Sequence, residues 1–332
     1  MSDVTAEAAG ADDRSDATTL DYVRRLRSHG WGRILLGGTT LWGLATALTL
    51  ATGNANLLPV IILVGGFLFP VTFVAWACRR EDQGELTPEI LIRGFLLGGI
   101  LGTVSAATLE AYFLTPSPLL YAGVAILEEA AKAAILLHLA RALVQRTLWD
   151  GLVLGATVGF GFAACQSVGY GLNAVFTVTG LSLREVVETE LLRGVIEPTS
   201  HALWTAIMGA VLLPVMRGRT SPRVGPELVL TFLGVSALHT LWDATHNIAV
   251  VFTLLVTDTP WQGRLFGLGY LPRPTDAQVH LFTAAQFVGY ALVGATGLFW
   301  LGVLRRRLDR LHRLAALVEP ADSLIPQGPE YA

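Results

Sequence analysis

"AILEEAAKAAILL", residues 125–137, sets Glu128, Glu129 and Lys132 in a run otherwise made of alanine, isoleucine and leucine. An ionisable side chain at the centre of a membrane helix costs about 2.5 to 3.5 kcal/mol on insertion scales. A chain that carries three of them this close together is expected to use them. On a helix of about 100° per residue, Lys132 projects about 40° from Glu128, between the two carboxylates. One ammonium offsets part of the pair, which makes the remaining carboxylate a candidate general base. A structural ion cluster that fixes helix packing is the plain alternative.

Composition says what surrounds this run. Of 332 residues, 52% are hydrophobic and only 15% charged, against about 25% charged in an average soluble domain. That balance predicts an all-α polytopic membrane helix bundle. Apolar stretches of membrane-spanning length predict about eight transmembrane helices, near 31–52, 57–78, 90–114, 117–141, 150–176, 199–216, 227–254 and 279–304. Residues 1–28 read as a disordered polar and basic tail with no signal peptide. Residues 29–304 read as the membrane domain, and 305–332 as a basic amphipathic tail. Arginines cluster before the first span and after the second, fourth, sixth and eighth. The opposite loops hold only Arg184, Arg193, Arg264 and Arg273. This alternation predicts cytoplasmic termini and a multi-pass protein of the cell membrane. Cys78 and Cys165 are not expected to pair. Nothing points to nucleic acid; the lipid bilayer is the expected surroundings.

Further polar residues fall inside the spans. In "WDGLVLGATVGFGFAACQSVGYGLN", residues 149–173, Gly155, Gly159, Phe162, Gln166, Tyr170 and Asn173 form one stripe. The glycines let a neighbouring helix come close, and Gln166 is the functional candidate on that face. "EPTSHALWTAIMG" opens the sixth span with His201, and "VSALHTLWDATHNIAV" sets His239, Asp243 and His246 at i, i+4 and i+7. Converging polar groups from the fourth to the seventh span predict a shared cavity. Leu183, Val187 and Leu191 suggest an amphipathic helix between the fifth and sixth spans, on the outer surface or lidding the bundle.

EEAAK (128–132), DGLVLGATVGFGFAACQS (150–167), RGVIEPTSHALWTAIMG (193–209) and HTLWD (239–243) resemble, in order and spacing, the motifs of the PrsW family of intramembrane proteases. That family falls in a superfamily with the CAAX proteases and abortive-infection membrane proteins. The resemblance covers about residues 85–255. It implies a membrane-embedded endopeptidase acting on membrane-anchored, single-pass protein substrates such as anti-sigma factors. Its glutamates would be Glu128 and Glu129 and its histidines His201 and His239. The chemistry it implies is either glutamate-activated water or a divalent metal such as zinc, held among Glu128, Glu129, His201 and His239. Lys132, Gln166, Asp243, His246 and Asn247 would support the site.

The family's second motif ends Phe-x-x-x-Glu-Asn, whereas Phe162 is followed here by Gln166 and Ser167. Glutamine cannot act as a base and is a poor metal ligand. That weighs toward metal-free chemistry, and it leaves open a catalytically impaired pseudoprotease that binds membrane partners as a scaffold. A proton-coupled transporter is a third reading, against which stands the lack of an internal repeat.

Overall fold

The structure, a computed structural model, describes residues 30–80, 85–177, 180–257, 259–270 and 273–322, with side chains described to residue 310. The expected tail over 1–28 and the last part of the expected tail over 305–332 lie outside the described residues.

The described chain is almost wholly helical. In order come α1 (Gly30–Thr52), α2 (Leu58–Ala77), α3 (Pro88–Leu96), a π-helical segment (Leu97–Gly102), α4 (Thr103–Phe113), α5 (Leu120–Ala140) and α6 (Leu148–Val175). A two-strand antiparallel hairpin, β1 (Phe176–Thr177) and β2 (Gly180–Leu181), leads to α7 (Leu183–Ile196). Then follow α8 (His201–Val215), α9 (Pro226–Thr257), α10 (Pro260–Gly267) and α11 (Asp276–Asp322). Local chemistry starts several of these helices. Thr147 and Asp150 form a reciprocal capping box at the head of α6. Thr87 accepts from the Ile90 amide just before Pro88 opens α3.

Among the described residues, seven helical segments are long and apolar enough to cross a membrane, where the composition led us to expect eight. The chain is therefore a multi-pass, all-α membrane bundle. The odd one out is α5, 21 residues long and home to Glu128, Glu129 and Lys132. Its charges keep it out of the apolar set, yet all three side chains are buried inside the protein. At about 1.5 Å per residue it has the length of a span. Protein, not lipid, surrounds its charged face.

Two helices make the centre. Glycines at 151, 155 and 159 bring α6 against α8 so closely that an added Cβ would overlap the backbone oxygens of Gly209, Thr205 and His201 respectively. Only a side chain of one hydrogen permits that approach, as in other small-residue membrane contacts. The contact lays the first turn of α8, with His201, beside Phe162 and the following turn of α6. The ring centroids of Phe162 and His201 are 5.2 Å apart.

Helix α7 differs from expectation. Leu191 is half exposed, while Val186, Glu190 and Arg193, with Glu197 just past the helix end, turn inward. The inward face is offset from the leucine stripe because α2 and α6 offer glycines there, Gly65 and Gly171, against which the Glu190 carboxylate rests. Cys78 and Cys165 do not form a disulfide with each other, as expected.

Candidate active site

Four helices deliver one cluster. From α5 come Glu128, Glu129 and Lys132, from α6 Gln166, from α8 His201, and from α9 His239 and Asp243. Lys132, Glu129 and His239 are at most 1% exposed, Glu128 and His201 at most 4%. Buried charges survive only when paired and hydrogen-bonded, and the pairing here is dense. Lys132 Nζ donates to Glu129 Oε1 at 2.6 Å and reaches His201 Nδ1 at 2.9 Å. It lies 3.7 Å from Glu128 Oε2 and 4.4 Å above the Phe162 ring. His239 Nδ1 donates to Glu129 Oε1 at 3.0 Å, and its ring stacks on Trp204 at 4.9 Å.

One atom is left over. Glu128 Oε2 is buried and makes no hydrogen bond. It faces His239 Nε2 at 3.6 Å and His201 Nδ1 at 3.9 Å. Glu128, His201 and His239 each offer a ligand atom, all within 4.8 Å of one another. An orphaned carboxylate oxygen beside two imidazole nitrogens is a donor set that fits a divalent cation. Two histidines and a carboxylate are a donor set that zinc accepts. The outer contacts fit too, since metal-binding histidines commonly give their other N–H to a carboxylate or carbonyl. His239 gives Nδ1–H to Glu129, and His201 has Gln166 Oε1 at 2.9 Å from Nε2.

The resemblance implied a ligand set drawn from Glu128, Glu129, His201 and His239. The geometry groups Glu128 with the histidines, while Glu129 is taken up by Lys132 and His239. Asp243 Oδ2 sits 3.3 Å from His239 Nε2 and, at 24% side-chain exposure, is the open edge of the cluster. Two expected members are elsewhere. His246 is exposed and packs edge-on to Phe282 at 5.1 Å, and Asn247 donates to the Tyr121 hydroxyl at 2.9 Å.

Three charged residues near the site were not singled out from the sequence. Arg193, counted there with the exterior loops, pairs with Glu197 at 3.0 Å and donates to Gln166 and Ser167. Glu197 Oε1 lies 3.7 Å from His201 Nε2. The signal was present: positions 193, 197 and 201 repeat at i+4. Glu110 on α4 has a buried, unpartnered Oε1 and lies within electrostatic reach of His239 and Asp243. As a lone acid in an apolar run, it carried no pattern.

A family model described as PrsW family intramembrane metalloprotease matches residues 87–261, more than half of the chain. The chain belongs to the PrsW family. The matched region runs from the cap of α3 to the start of α10 and holds every member of the cluster. No curated protein and no solved structure matches the chain. The family's description as metalloproteases speaks for the metal alternative over the metal-free one. Gln166 does not weaken that alternative, because it stands behind His201 and three donors remain without it.

Proposed function

We propose that this PrsW-family chain is a metal-dependent endopeptidase that cuts single-pass membrane proteins within or beside the bilayer. The observation that supports it most is the orphaned Oε2 of Glu128, buried opposite His201 Nδ1 and His239 Nε2. Glu128, His201 and His239 would hold the ion, which when bound polarises a peptide carbonyl and lowers the pKa of a water. The rest of the site is work for the chain's own groups. Glu129 Oε1 accepts the Nδ1–H hydrogen bond of His239 and keeps that ring turned, and Lys132 holds Glu129 in place. Asp243 Oδ2, half-open beside His239 Nε2, is the group placed to take a proton from water and return it to the departing amine. Gln166 and Asn247 are committed to other hydrogen bonds and are not placed to stabilise an oxyanion.

The test is cleavage of single-pass candidates, anti-sigma-like anchors among them, by the protein in proteoliposomes. Chelation by 1,10-phenanthroline should abolish cleavage and zinc should restore it. Glu128→Gln should lower the rate by roughly 10²- to 10⁴-fold, the usual range for losing such a group. Cleavage indifferent to chelator would return the site to glutamate-activated water, with Glu128 Oε2 as the base. Partner binding without any cleavage by the wild type would instead favour a scaffold.

A further inference from the structure

Gln166 lies between two groups whose hydrogen-bonding roles are fixed by charge. A guanidinium can only donate, and an ionised carboxylate can only accept. Arg193 Nη2 sits 3.1 Å from one end of the amide and Glu128 Oε1 sits 3.2 Å from the other. The amide therefore has one satisfactory orientation, oxygen toward Arg193 and nitrogen toward Glu128. Reversed, it would set donor against donor at one end and acceptor against acceptor at the other.

This has a consequence for His201. Its Nε2 is 2.9 Å from the same Gln166 oxygen and so must carry the proton. Its Nδ1 is then a bare lone pair, which agrees with the Lys132 ammonium, another obligate donor, 2.9 Å away. Nδ1 is also the ring nitrogen that looks toward Glu128 Oε2 at 3.9 Å. A histidine donates to a metal only from an unprotonated nitrogen, so the tautomer decides whether this ring can serve as a ligand.

Arg193 is well held for this task. Nε donates to Ser167 Oγ at 2.8 Å, Nη2 pairs with Glu197 Oε2 at 3.0 Å, and the guanidinium lies over the Tyr170 ring at 4.3 Å. Both places where the chain departs from the family's Glu-Asn ending, Gln166 and Ser167, are thus met by this one side chain.

We propose that Arg193 is a positioning residue which, acting through the Gln166 amide, locks His201 as the Nε2–H tautomer with Nδ1 turned to Glu128. The consequence for catalysis rests on the hydrolase reading above, whereas the tautomer does not. The experiment is ¹⁵N NMR of histidine-labelled protein in lipid, with the His201 signals assigned by their loss in His201→Ala. Zinc titration and cleavage kinetics run alongside. Arg193→Met is paired with Glu197→Gln so that no carboxylate is stranded, and Arg193→Lys keeps a donor.

The wild type should show Nε2 protonated and Nδ1 bare. With the amide then oriented by Glu128 alone and Nδ1 still facing Lys132, the paired variant should hold the Nε2–H form less fully, with the other tautomer appearing beside it. It should bind zinc about 10- to 100-fold more weakly, the usual cost of losing an outer-shell partner. Its kcat should fall with KM little changed, and Arg193→Lys should recover part of each effect. Adding Gln166→Leu to the paired variant should do no more harm than Gln166→Leu alone, since Arg193 is taken to act through that amide. An unchanged tautomer and zinc affinity in the paired variant, or fully additive losses, would overturn the proposal. If the paired variant does not fold, Arg193→Lys decides: a tautomer insensitive to Gln166→Leu in that background also overturns it. A tautomer switch in a protein that cuts nothing would sink the hydrolase reading and leave Arg193's role standing.

Discussion

Two buried acids, one on α5 and one on α7, meet opposite fates. Glu129 on α5 is 1% exposed and is met by Lys132 and His239. Glu190 on α7 is 3% exposed, and neither of its oxygens has a partner. It rests between Gly65 and Gly171, where the helices leave room but offer no donor. The difference shows that burial alone does not make a site. What marks the α5 region is that imidazoles from α8 and α9 arrive at its carboxylates, and that one oxygen, Glu128 Oε2, makes no hydrogen bond among them.

The sharpest way to break this contrast is to strip the α5 acids of their cation. Lys132→Met would leave a buried carboxylate pair without its ammonium, and removing one partner of a buried ion pair costs about 3 to 5 kcal/mol. Thermal unfolding in detergent should show a loss of that size, together with loss of cleavage. Next comes the contact that carries His201 to α5. Gly159→Ala would set a Cβ on the His201 backbone oxygen, so α8 must back away. A displacement of about 1 Å can cost on the order of 10²-fold in rate. Cleavage should fall by that factor, while the melting temperature moves less than in Lys132→Met.

Glu190 should answer in the opposite direction. Glu190→Met removes an unsatisfied buried acid at similar volume and should stabilise the protein by about 1 to 3 kcal/mol. Cleavage should stay within about twofold of wild type; a large loss would mean that Glu190 belongs to the site after all. The smallest effect is expected at His246. This residue is exposed and set against Phe282, so His246→Ala should change neither zinc affinity nor cleavage measurably.

Much of this was readable beforehand, residue by residue. The i, i+4 spacing of Glu128 and Lys132 predicted their pairing, and they stand 3.7 Å apart. His201 and His239 were drawn to the glutamates by motif order, and both arrive there. His246 was misplaced by the same helical arithmetic that placed His239. Seven residues on, it keeps the phase of the face, but the neighbour beside it has become α11 with Phe282 and Gln286. Arg193 was misplaced by a charge rule that treats a loop arginine as solvated, when a short helix carries it inward to Gln166.

The sequence by itself determined the class of the protein, the helices, the charged run that does not belong in lipid, and the family. Those follow from composition and from spacing within one helix, which hydropathy and a period of about 3.6 residues govern. Only the tertiary structure decided which carboxylate stands free, which ring nitrogen faces it, and that an arginine stands behind Gln166. Such facts depend on side chains from four helices meeting within a few ångströms, and no spacing along one chain segment encodes a distance between two of them.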